Sequence, residues 1–118
     1  MSATSIGWNF RYWVEFPARG GHAQAGRRPA IIMQAEAHAV GLPTVLLVPL
    51  TSQMDALRFP GTVLVEADGR NGLRRASVAL VFQLTAVDRR YVVNYIGEIA
   101  ETVLQQIQVA LDELIGRA

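Results

Sequence analysis

The chain contains no cysteine. Disulfides, thiolate nucleophiles and sulfur-ligated structural zinc are therefore excluded. Only two histidines occur, His22 and His38, too few for a metal cluster built on imidazole, and no cofactor is expected. Lysine is missing as well: all 11 basic residues are arginine, and against 10 acidic residues they leave a net charge of +1. Codon bias accounts for that usage, with the bidentate fit of guanidinium to phosphate as the functional alternative. So small a net charge excludes a whole-surface field for nucleic acid, and any such site must be a local patch. No apolar run reaches the length that spans a bilayer, and the polar-interrupted start (Ser2, Thr4, Ser5, Asn9, Arg11) lacks the pattern of a secretory signal. A cytoplasmic protein without membrane contact is expected. Repeats, low-complexity segments and linkers are also absent, which predicts a single domain over residues 1–118, with 1–9 as a flexible leader.

What is present is apolar. Hydrophobic residues make up 51% of the 118, and the mean hydropathy is +0.22. A chain of this length can bury one continuous core. The apolar excess fits either a homo-oligomer interface or a core of tightly packed strands.

Short strands at close spacing dominate the pattern. Phe10 to Phe16 alternates and is rich in aromatics, placing Tyr12, Val14 and Phe16 on one face. Pro29 to Gln34 reads as a second, mostly buried strand, and Pro43 to Leu50 as a third, with Pro49 arguing for a sheet edge or a bulge. Thr62 to Glu66, Ser77 to Leu84 and Val92 to Ile96 complete six, with a strong turn at Ala67 to Gly72. The end of the chain differs: Val103, Leu104, Ile107, Leu111, Leu114 and Ile115 form a stripe at helical spacing, with Thr102 and Gln105 spaced as a capping box. The fold class expected is mainly β (α+β), a small antiparallel barrel closed by a C-terminal amphipathic helix.

The stretch around which the rest is organised is Gly21 to Ala30, GHAQAGRRPA. Gly20, Gly21 and Gly26 give a flexible loop, and Pro29 stiffens the strand that follows. Arg27 and Arg28 stand at that junction, where planar cations can meet a phosphate. Thr51 and Ser52 end the third strand, with a turn cap as the competing explanation for their hydroxyls.

Five blocks in order, YWVEFP, GHAQAGRRPAIIMQ, GLPTVLLVPLTS, FPGTVLVEADGRNGL and SVALVFQLTAVDRR, followed by the terminal helix, resemble the PemK/MazF toxins of bacterial toxin–antitoxin systems. The resemblance implies an SH3-like β-barrel, a homodimer, and metal-independent, sequence-specific cleavage of single-stranded RNA with the adjacent 2′-hydroxyl as nucleophile, held in check by a cognate antitoxin. Arg28 matches the catalytic arginine before proline, and Thr51 the threonine after the third strand. His22, Gln24, Arg27, Ser52 and Gln83 are the expected substrate contacts, Gln83 on the fifth strand. Arginine side chains hold their proton far above neutral pH, which suits charge stabilisation better than proton transfer.

Some departures stand out. Many members carry serine-glutamate-glutamine where this chain has His22-Ala23-Gln24, so Ala23 removes a carboxylate. Either that group is dispensable, or His22 has taken a proton-transfer role, or this copy is attenuated or inactive and acts as a binder of RNA or antitoxin. Thr85 stands where a basic residue is common, and Asn9-Phe10 replaces a glycine-aspartate pair. A gyrase poison resembling CcdB is disfavoured because the chain ends Leu114-Ile115-Gly116-Arg117-Ala118, without the aromatic motif of that group. A peptide-binding SH3-like module leaves the conjunction of Arg28 and Thr51 unexplained.

Overall fold

The computed structural model describes residues 10–16, 26–33 and 41–117. His22, Ala23, Gln24, the expected leader at 1–9 and most of the connection from Ala35 to Gly41 lie outside the described residues. Seven strands order as β4-β5-β3-β2-β1-β7, with β6 also pairing β3: β1 Phe10–Phe16, β2 Gly26–Ile32, β3 Thr44–Thr51, β4 Thr62–Val65, β5 Ser77–Leu80, β6 Thr85–Asp88 and β7 Val92–Glu98. All described pairings are antiparallel. One α-helix, α1, spans Glu101–Leu114.

Ala30 to Met33 and Leu47 to Leu50 are buried on both faces of the sheet, which is why those stretches run as continuous apolar blocks instead of alternating. On one face Ile31, Met33, Val48 and Leu50 join Val63, Val65, Ala79, Val81, Ile99, Leu104 and Ile107 in a core covered by α1. On the other, Val14, Ala30, Ile32, Val45 and Leu47 form a second cluster, with Val87, Tyr91 and Val92 packed against it.

The expected fifth strand is broken. Leu47 and Leu50 lie three residues apart on β3, whereas their partners Thr85 and Ala79 lie six apart, and the surplus forms a 3-10 turn at Val81–Gln83. β5 and β6 therefore replace one long strand, and Gln83 stands on the turn, not on a strand. The edge expected from Pro49 is also corrected: β3 is the central strand, and Pro49 is buried within it. No bulge is recorded there either: β3 alternates without a break through Pro49, which is the last residue of the β2–β3 ladder and falls in the gap between the β5 and β6 ladders. A proline has no N–H to give, so it sits where neither neighbour asks for one.

Among the described residues the sheet does not close into the expected barrel, since no ladder joins β4 to β7. A single bond approximates closure: the Glu98 N–H donates to the Arg70 carbonyl at 2.9 Å. Gly97 makes that approach possible, because a Cβ there would collide with the Arg70 carbonyl oxygen and the Asn71 backbone. The turn on the other side is rigid. Buried Asn71 accepts from the N–H groups of Asp68 (3.1 Å) and Leu73 (3.0 Å) and donates to the Glu66 carbonyl at 2.7 Å.

α1 starts from Ala100, whose carbonyl accepts from Val103 and Leu104, and no side chain caps it. The capping box at Thr102 is thus not formed, since buried Ile99 fixes the strand-to-helix corner one turn earlier. Leu104 and Ile107 are buried, while Leu114 and Ile115 remain exposed at the end of the stripe. Gly116, at φ +80°, ends the helix, and the Arg117 N–H reaches back to the Asp112 carbonyl at 2.7 Å.

Candidate active site

β1 pairs with β2 down to Phe16–Gly26, so both arginines lie inside the strand and not at its junction with the loop. Strand alternation then separates them. Arg27 is exposed and registers opposite Glu15, whereas Arg28 is half-buried and registers opposite the fully buried Val14. Arg28 thus shares its face with Ala30 and Ile32 of the second cluster.

Thr51 lies at the end of β3, half-buried and paired with Val78. By the same alternation it shares a face with Val45 and Leu47, again that of the second cluster. Register brings it level with Arg28: counting two residues onward from the last ladder pair, Ala30–Pro49, reaches Arg28 on one strand and Thr51 on the other. The two side chains therefore leave the same face of adjacent strands at the same end of the sheet.

The Thr51 hydroxyl oxygen accepts from the Gln53 N–H at 3.2 Å. The turn-cap role and a substrate role are compatible, because a hydroxyl that accepts one bond still has its O–H to donate. Ser52 follows, exposed, and leads into a 3-10 turn at Met54–Arg58 that the sequence reading did not contain. Gln83 is exposed on the far side of β3 from β2, level with Val48 and Pro49. Arg28 and Gln83 thus flank β3 from opposite sides. His22 and Gln24 lie outside the described residues.

The same end of the sheet carries two arginines left without a role in the sequence reading. Arg74 and Arg75 lead into β5, whose Val78 pairs with Thr51. Their signal in sequence was positional: two cations just ahead of a strand that must start where β3 ends. Among the described residues, no three His, Cys, Asp or Glu side chains come together as metal ligands, and no helix is long and apolar enough to cross a membrane. A groove of about 430 Å³ on α1, lined by Thr102, Gln105, Gln106 and Val109, shares no residue with this end of the sheet.

Residues 12–115 match the family described as PemK-like, MazF-like toxins of type II toxin–antitoxin systems. The endoribonuclease toxin MazF of Escherichia coli is 30% identical over 105 residues, covering 88% of each chain. The crystal structure of MazF (Form-I) from Deinococcus radiodurans superposes with a TM-score of 0.77 at 26% identity, covering 95% of this chain and 97% of that one. MazE-MazF (Form-II) from the same organism gives 0.75 at 25%, covering 95% and 96%. The chain accordingly belongs to the PemK-like, MazF-like toxins of type II toxin–antitoxin systems.

Proposed function

We propose that the chain is the toxin of a toxin–antitoxin pair, a sequence-specific endoribonuclease that cuts single-stranded RNA without a metal ion. The observation that carries this reading is the common face and level of Arg28 and Thr51. In the reaction the 2′-hydroxyl of one nucleotide gives up its proton as its oxygen bonds to the adjacent phosphorus, the bond from phosphorus to the 5′-oxygen breaks, and that oxygen takes up a proton, leaving a 2′,3′-cyclic phosphate and a 5′-hydroxyl. Negative charge grows on the non-bridging oxygens as the phosphorus becomes five-coordinate. A guanidinium fork from Arg28 and the O–H of Thr51 are suited to hold that charge. Arg27, Ser52 and Gln83 contribute contacts to backbone and bases, as do His22 and Gln24 from the loop.

The protein acts in the cytoplasm as a homodimer of single-domain, SH3-like barrels, and a cognate antitoxin restrains the growth arrest it causes. Support for the homodimer comes from an exposed apolar cluster. Phe59 and Phe82 are 43% and 41% exposed, with ring centroids 5.8 Å apart, and the Arg58 guanidinium lies 4.8 Å above the Phe59 ring. Support for the antitoxin partner comes from the MazE-MazF complex among the similar structures.

Purified protein should cut a long RNA in EDTA into a few discrete products, and Arg28→Ala should abolish them. Smooth degradation, or cleavage unaffected by that substitution, would contradict the assignment. Ala23 favours a second reading, an attenuated copy that binds RNA or antitoxin. Ala23→Glu separates the two: a large gain in cleavage identifies attenuation.

A further inference from the structure

We propose that Arg74 and Arg75 form a phosphate-binding track for the RNA strand on the β5 side of Thr51. The inference rests on the ribonuclease reading above and adds to it the path of the bound strand. β3 lies between β2 and β5, so Thr51 has Arg28 beyond one edge and the lead-in to β5 beyond the other. Arg75 and Arg74 precede Val78, the partner of Thr51, by three and four residues. Four residues of chain span at most about 14 Å, which keeps these guanidinium groups within reach of phosphates flanking the one at Thr51.

The segment that carries them is held at both ends. Leu73 packs against the core beside α1, and its N–H is fixed by Asn71. Ser77 is buried and its hydroxyl donates to the Arg75 carbonyl at 3.4 Å. Between those anchors only Arg74, Arg75 and half-buried Ala76 remain, and both arginine side chains are exposed. Among the described residues neither has a hydrogen bond or ion pair. Of the carboxylates, Asp68 accepts from the N–H groups of Arg70 and Asn71, both at 2.8 Å, and Asp55 lies 3.9 Å from Arg58. Adjacent cations repel each other, and placing two of them at the end that already carries Arg27 and Arg28 favours an extended polyanion over a single charge.

The test uses a 2′-O-methyl RNA oligonucleotide, which cannot supply the nucleophile, and reads its affinity by anisotropy across a salt series. Replacing both residues (Arg74→Ser with Arg75→Ser) should flatten the plot of log K against log salt by about 1.4, since each single-strand phosphate contact contributes about 0.7. On a cleavable RNA the same protein should raise KM more than it lowers kcat. Replacing them instead by Arg74→Lys with Arg75→Lys should keep most of the slope, because a phosphate reads the charge. An unchanged slope in a variant with native circular dichroism, while the wild type still cuts RNA, overturns the track and leaves the ribonuclease reading intact. Retained RNA affinity with lost binding of a polyglutamate probe also overturns it, assigning the pair to an acidic protein segment. A wild type that neither binds nor cuts RNA overturns the underlying reading and the track with it.

Discussion

Arg28 and Thr51 stand level with one another on adjacent strands, each two residues past the point where the β2–β3 ladder ends at Ala30–Pro49. Pro49 is the last β3 residue of that ladder, and the two proposed site side chains lie beyond it. Their faces are set by the buried residues behind them, Ala30 and Ile32 on β2 and Val45 and Leu47 on β3.

That arrangement predicts a split between two substitutions at Thr51. Thr51→Ser keeps the hydroxyl and should retain most activity. Thr51→Val preserves shape but leaves the Gln53 N–H without its acceptor, so it should lower kcat by about 10- to 100-fold and stability by about 1 kcal/mol. Single-turnover cleavage and thermal unfolding measure the two effects.

Gly97 should be intolerant of any side chain. Gly97→Ala drives a Cβ into the Arg70 carbonyl oxygen and the Asn71 backbone, opening the Glu98–Arg70 backbone bond between β7 and the turn after β4. A loss of about 1–3 kcal/mol is expected by denaturant unfolding. Gly41→Ala, with nothing near its Cβ, is the control and should shift stability by less than about 0.5 kcal/mol.

Asn71 organises the turn behind that contact. Asn71→Ala removes one donor and one acceptor from a buried site, leaving the Glu66 carbonyl and the N–H groups of Asp68 and Leu73 to find water. Unfolding experiments should give a loss of about 1–3 kcal/mol. RNA affinity should fall in parallel, because Arg74 and Arg75 lose a fixed base.

On α1, Ile107→Ala should cost about 2–5 kcal/mol, since Ile107 is fully buried in the core cluster that includes Val63 and Val65 of β4. Val109→Ser, at 57% exposure on the outer face, should leave the melting temperature nearly unchanged. Thermal scans of the two variants side by side test whether this helix covers the core on one side only.

Much of this fold was legible in the sequence because its signals are local. Alternating aromatics gave β1 over Phe10–Phe16, and the helical stripe gave α1 to within two residues of its start. What escaped depends on pairing between distant strands. Nothing within SVALVFQLTAVD marks the break at Val81–Gln83, because it arises from a mismatch in length against β3. Pro49 showed that a ladder must lapse there, but not that the strand would be central. Barrel closure likewise depends on whether β4 and β7 meet, and among the described residues only Arg70 and Glu98 bridge that gap.

For the site, motif matching singled out Arg28 and Thr51 as candidates, but only alternation and register put them on one face. It gave Arg28 the catalytic role and Arg27 a substrate contact, and strand alternation turns the two to opposite faces of β2. Gln83 was assigned to a strand and stands on a 3-10 turn, and Arg74 and Arg75 carried no motif at all.

The central claim is that Arg28 and Thr51 act on the same phosphate, and a double-mutant cycle on the cleavage rate tests it most directly. Arg28→Ala alone should cost about 100- to 1,000-fold, and adding Thr51→Val should cost much less than it does in the wild type, because groups that act as a unit are not additive. If the two losses simply multiply, the residues work independently, and the shared site at the end of β2 and β3 is contradicted.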